Sequence, residues 1–317
     1  MTGDPPVFAV VVVAACVQAC GGSQTQASAA DGGVARGDDG GERDGGEVLD
    51  SSGRTESGVD ASTGAGDGAV GSRCQITAAS ATCKHQSTTL AGRTVVYETP
   101  LGAAPGGGWP GVVYFQGSLI PGHGAFDATA SAPFDQYDLT RTIGALLDHG
   151  YAVIAPDAAS NGSTFWETNI PPYATSWPGC PDDVLMQALF AAVSAGALGP
   201  IDAGRLYAMG ISSGGFMTSR MAVSYQGKFR ALVDHSGSYA TCSAVCVVPT
   251  PLPTDHPPTL FMHGGADAVV PLTAIQPYID ALVAEGHEAK LVTDADAGHQ
   301  WLPEGPQVIP AWFDSHP

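Results

Sequence analysis

Residues Leu206 to Ala222 read LYAMGISSGGFMTSRMA, and the fold turns on how this stretch is divided. "RLYAMG" has the apolar run of a buried strand, and "GGFMTSRMAVSY" has helical spacing with Phe216, Met217, Met221 and Val223 largely facing inward. Between them Gly210, Ser212 and Gly214 form a G-x-S-x-G pattern. In a chain with 42 glycines that pattern alone is weak, but a strand before it and a helix after it give it a mechanical meaning. A serine on so sharp a turn needs neighbours without side chains, because its backbone is strained and packs close to the helix that follows. The turn also aims the Ser213 amide and the positive end of the helix at whatever the Ser212 hydroxyl attacks.

Outward from this stretch, the same alternation continues from Thr94 onward. "RTVVYETP" and "GVVYFQG" read as strands, the second ending at Gln116, and "LTRTIGALLDHG" as a helix from about Leu139 stopped by Gly150. "YAVIAPD" is a buried strand ending at Asp157. A helix is expected from about Asp182 to Ala195. "RALVDHSG", "TLFMHGG" and "EAKLVTD" supply further strands, with "LTAIQPYIDALVAEG" as a helix and "PQVIPAWFDSHP" as a terminal helix interrupted by Pro310. Strands alternating with helices define an α/β class: a mostly parallel central sheet with helices on both faces. The segment from Ala158 to Gly179 has no clear period and carries Phe165, Trp166, Tyr173 and Trp177, the composition of a binding loop at the C-terminal edge of a sheet.

A serine hydroxyl is a poor nucleophile until an oriented base takes its proton. In hydrolases the chain order is serine, then acid, then histidine, each at a strand end. Asp267 follows "TLFMHGGAD" and His299 follows "KLVTDADAGHQW", both in order. Ser213 as nucleophile would require glycine at position 211, where Ile211 stands. Asp294 and Asp296 are rival acids, but they lie on the loop that carries the base. His263 belongs to a strand end and reads as structural. His123 and Trp301, with Trp166 and Trp177, are the candidate substrate-facing residues, while an exposed loop histidine and a packed tryptophan are the simpler readings of His123 and Trp301.

Through "GISSGGFMT", "HGGADAVVP" and "AGHQW" the sequence resembles the α/β-hydrolase family. More narrowly it is similar to the esterases that include polyhydroxybutyrate depolymerases, feruloyl esterases and dienelactone-hydrolase-like enzymes. The likeness runs roughly from Arg93 to Asp314. It implies Ser212 as nucleophile, Asp267 as the residue orienting the base and His299 as the base. It also implies an oxyanion hole made by the amides of Ser213 and, from "VVYFQGSLIPGHG", Ser118, with Gln116 where the family usually has histidine. Ester hydrolysis is the expected activity. A serine peptidase and a catalytically silent binding module on the same fold are the alternatives.

Composition bounds the rest. The 317 residues are 44% apolar with a net charge of −19, and no balance of this kind forms the basic patch that nucleic acid requires. Residues 1–20 are expected to be a signal peptide: Val7 to Ala15 is an apolar run too short to span a membrane, and "VAAC" and "VQAC" place lipobox-like cysteines at Cys16 and Cys20. The short segment before that run carries Asp4 and neither Lys nor Arg, unlike a typical export signal, and a buried apolar strand is the plainer reading of the run from Val7 to Ala15. Residues 21–73, Gly/Asp/Ser-rich and without an aromatic residue, are expected to be a disordered tether, holding a catalytic domain over residues 74–317 away from a lipid-anchored terminus. Beyond residue 73 five cysteines remain, and Cys74 with Cys83 and Cys242 with Cys246 are candidate short-loop disulfides. Neither close pair has zinc-ligand spacing, and "GAGDGAVG" has no strand before it, so no metal or cofactor is expected. The expected partner is an ester substrate, polymeric or small, for an exported monomer.

Overall fold

The computed structural model describes residues 71–158, 165–242 and 248–317. The expected signal, the lipobox-like Cys16 and Cys20, nearly all of the expected tether, part of the aromatic segment and Cys246 lie outside these.

The core of the fold is an eight-stranded sheet in the order β11-β10-β9-β8-β5-β7-β4-β3. Its strands are β3 (Gln86–Leu90), β4 (Arg93–Glu98), β5 (Trp109–Phe115), β7 (Ala152–Pro156), β8 (Ile201–Ile211), β9 (Phe229–His235), β10 (Thr259–Gly264) and β11 (Ala289–Asp294). From β7 across to β11 every pairing is parallel, and β4 joins β7 and β3 antiparallel. A small antiparallel sheet of β1 (Cys74–Ile76), β2 (Ser80–Cys83) and β6 (Asp127–Thr129) stands apart, stapled by a Cys74–Cys83 disulfide. Cys180 is a buried free thiol. Cys242 is disulfide-bonded.

Helices cover both faces because the central strands are apolar on both sides. Val112, Tyr114, Val153, Ala155, Tyr207 and Met209 pack with α1 (Gln136–Asp148) and α5 (Gly305–Asp314). Their alternate neighbours Val113, Phe115, Ile154 and Ala208 pack with α2 (Pro181–Ser194) and α3 (Ser213–Ser224). A third cluster seats α4 (Leu272–Ala284) through Ile275, Tyr278 and Leu282 on Phe261. This is the α/β-hydrolase fold. Helix α1 begins three residues before Leu139, and β8 runs from Ile201, longer than the six residues read as a strand.

Candidate active site

The site is assembled beyond the C-terminal ends of β5, β8, β9, β10 and β11. Strand β8 ends at Ile211 and α3 begins at Ser213, so Ser212 alone makes the turn, with φ 57° and ψ −122°. Non-glycine residues avoid that region, and holding one there costs on the order of 1–3 kcal/mol. The turn closes tightly because its flanking positions have no side chain. A Cβ on Gly214 would collide with the carbonyl oxygen of Phe115, and one on Gly210 with that of Gly214. The Ser212 N–H donates to the His235 carbonyl at 2.9 Å, and its own carbonyl accepts from Gly215 and Phe216.

Asp267 and His299 are brought together. His299 Nδ1 lies 2.7 Å from Asp267 Oδ2, while Asp267 Oδ1 accepts the N–H groups of Val269 and Val270 at 2.8 Å each. Burial pushes the Asp267 carboxyl up, but the His299 hydrogen bond and charge and the two amides outweigh it and hold its pKa below the ordinary range. The orientation leaves His299 Nε2 as the ring's proton-accepting atom. Among the described residues, Ser212 Oγ hydrogen-bonds to neither partner; contacts of this type commonly tighten only with substrate bound.

His263 lies 3.6 Å from the same carboxylate oxygen and donates from Nε2 to the Val270 carbonyl. Burial, its largest influence, lowers its pKa against the Val270 hydrogen bond and the Asp267 charge, which raise it.

His235, which sequence reasoning passed over, ties the serine turn to the histidine loop. It is fully buried; its carbonyl holds the Ser212 N–H and its Nε2 accepts the Leu302 N–H at 2.9 Å. Its ring stacks on Trp301 at 4.7 Å, and burial, then the neighbouring His263 and His299, push its pKa down to about 3. It therefore stays a hydrogen-bond acceptor for Leu302, which lies three residues beyond His299. The only sequence signal was its place at the end of a strand.

The three candidate tryptophans are packed rather than presented to substrate. Trp166 is fully buried: its indole N–H donates to the Gln116 carbonyl and its main-chain N–H to Ser213 Oγ. Trp177 donates to the Tyr225 hydroxyl, with the Arg220 guanidinium 4.8 Å over its ring. Trp301 donates to Thr142 Oγ1. Burying so large a ring is more favourable than exposing it, and each indole N–H finds an acceptor inside. Arg220, also overlooked, holds the aromatic segment through Thr168, donating to its hydroxyl at 2.8 Å and its carbonyl at 2.7 Å. His123 is exposed beside Asp157, whose carboxyl pKa is raised by burial against the Gly122 N–H and, less, the His123 charge.

The loop after β5 packs on the serine turn: a Cβ on Gly117 would stand 3.7 Å from Ser212 Cβ. Gln116, where histidine is the usual residue, is buried and accepts the Ala158 N–H at 3.2 Å through Oε1, tying this loop to the segment just after β7. Ser118 follows it in a turn, half-buried.

A strained serine between a parallel strand and a helix, with a histidine–carboxylate pair two and three strands further along the sheet, is an arrangement suited to hydrolysis on the α/β-hydrolase fold. The chain is 47% identical over 251 residues to the poly(3-hydroxyoctanoate) depolymerase of Pseudomonas fluorescens, covering 77% of this chain and 89% of that one. It belongs to the family of that depolymerase. No family model matches the chain. Among solved structures, the S-formylglutathione hydrolase of Staphylococcus aureus superposes with TM-score 0.50 at 14% identity, over 73% of this chain and 96% of that one. An acylaminoacyl peptidase crystallised with a peptide chloromethyl ketone gives TM-score 0.50 at 14% identity, over 73% and 41%. These two likenesses concern the fold.

Proposed function

We propose that this protein is an exported polyester depolymerase that cleaves the ester bonds of a polyhydroxyalkanoate-type polymer through Ser212, His299 and Asp267. His299 Nε2 takes the Ser212 proton as Oγ attacks the ester carbonyl carbon. The N–H groups of Ser213 and Ser118 hold the oxyanion. Collapse breaks the carbonyl–alkoxy bond, and the alcohol leaves with the proton from His299. Water, deprotonated by His299, then attacks the acyl-enzyme and frees the acid and Ser212. Asp267 keeps Nε2 facing the serine and stabilises the imidazolium formed in both steps.

The observation that carries this reading is the 2.7 Å His299–Asp267 contact on the same sheet edge as the strained Ser212, in a chain related across most of its length to a polyester depolymerase. Export rests on the apolar run Val7 to Ala15 and the cysteines at 16 and 20, with residues 21–73 as tether and 74–317 as catalytic domain. No described helix is long and apolar enough to cross a membrane.

The test is a panel of a polyhydroxyoctanoate latex, p-nitrophenyl esters, methyl ferulate and a peptide amide. Clearing of the latex together with p-nitrophenyl ester turnover is expected. Peptide turnover exceeding ester turnover would favour a peptidase, and an inert latex would remove the polyester assignment.

A further inference from the structure

Two side chains beside the site stand in places where their residue types are costly. Leu119 is the third residue of a turn over 117–120, closed by the Ile120 N–H on the Gly117 carbonyl, and has φ 69°. Phe134 has φ 58° and Asp135, which follows it, φ 52°. Glycine or asparagine is the ordinary occupant of such positions. Leu119 and Phe134 are also 56% and 43% exposed, so neither recovers the cost by packing inside. Of the described non-glycine residues at positive φ, these are the large exposed apolar ones.

Both flank the reacting groups. Leu119 directly follows Ser118 on the loop whose Gly117 lies against Ser212. The Phe134 ring meets the His299 ring edge to face at 6.4 Å. Its segment is fixed to the histidine loop twice: Trp301 N–H donates to the Phe134 carbonyl at 3.0 Å, and Gln300 Nε2 donates to Asp135 Oδ2. Phe134 is thus held at a set place over the base, not left to swing.

We propose that Leu119 and Phe134 are specificity-determining residues that grip the alkyl chain of the ester's acyl part, Leu119 from the oxyanion side and Phe134 from the histidine side. Strain and exposure are tolerated at these positions because the side chains contact substrate. The inference rests on Ser212 being the nucleophile and adds which residues select a medium-length chain. The tryptophans that looked suited to this task support the loops from below.

The experiment compares kcat/KM for p-nitrophenyl octanoate and p-nitrophenyl acetate in the parent and in Leu119→Gly, Phe134→Gly and the double variant, with thermal midpoints alongside. Glycine relieves the backbone, so the midpoints should hold or rise. The octanoate-to-acetate ratio should fall at least about tenfold in the double variant, as expected for losing contact with about two methylenes. Phe134→Leu should keep most of the preference. If a glycine variant fails to fold, Leu119→Asn and Phe134→Asn, which also tolerate positive φ, replace it. An active parent whose double variant keeps its ratio overturns this inference alone. A parent inert on both esters overturns the nucleophile assignment as well.

Discussion

Nδ1 of His299 stands 2.7 Å from Oδ2 of Asp267, and the other carboxylate oxygen is closed by two backbone N–H groups. The carboxylate therefore has one geometry available, and the histidine ring takes its orientation from it.

Asp267→Asn should leave the fold intact and lower kcat by about 10³ to 10⁴-fold with KM little changed, because an amide neither fixes the tautomer nor balances the imidazolium. A pH effect on stability follows. The folded-state pKa of Asp267 is depressed, so its stabilising effect is present above the unfolded value of about 4 and is lost as pH falls below it. Chemical denaturation should show the gap between parent and variant narrowing below pH 4.

His235 carries the opposite charge logic. Its folded pKa is about 3 against 6.5 for the free group, so below pH 6.5 the unfolded chain takes up a proton that the folded chain refuses. Stability from this residue falls as pH drops from 6.5 towards 3, by about 2 kcal/mol between pH 7 and 5. His235→Phe should remove that dependence while costing roughly 1–3 kcal/mol at pH 7 for the stranded Leu302 N–H. Because Leu302 closes the histidine loop, kcat should drop more than KM rises. Urea midpoints at pH 7 and 5 and initial rates are the readouts.

Much of this site is legible in the sequence for a physical reason. A catalytic serine needs glycine neighbours, a strand before it and a helix after it, and its partners fall at later strand ends in a fixed order. Gly210, Gly214, Asp267 and His299 therefore carry their positions in residue type and spacing. Trp166, Trp177 and Trp301 do not: whether a ring faces a cleft or the core depends on what packs over it, and here Gln116, Tyr225 and Thr142 accept their indole N–H groups. Leu119 and Phe134 are the reverse case. Their residue types argue against the backbone they adopt, so tertiary contacts alone reveal them. The polar strand β3, QSTTL, escapes a search for apolar runs because it lies at the sheet edge.

The Cys74–Cys83 disulfide joins residues nine apart and packs its Cys74 against Gly144 of α1. Chain-entropy reasoning gives about 2–3 kcal/mol for a loop of this size. Replacing both cysteines by serine should lower stability by about that amount, read from denaturant midpoints, with the ester-hydrolysis rate at 25 °C retained.

The central claim is that Ser212 is the nucleophile. Incubation with a fluorophosphonate probe, followed by peptide mass mapping, should place the adduct on Ser212, and Ser212→Ala should lose labelling and at least about 10³-fold of its p-nitrophenyl ester turnover with an unchanged circular dichroism spectrum. Labelling at another residue, or near-parental turnover in a folded Ser212→Ala protein, would contradict the account.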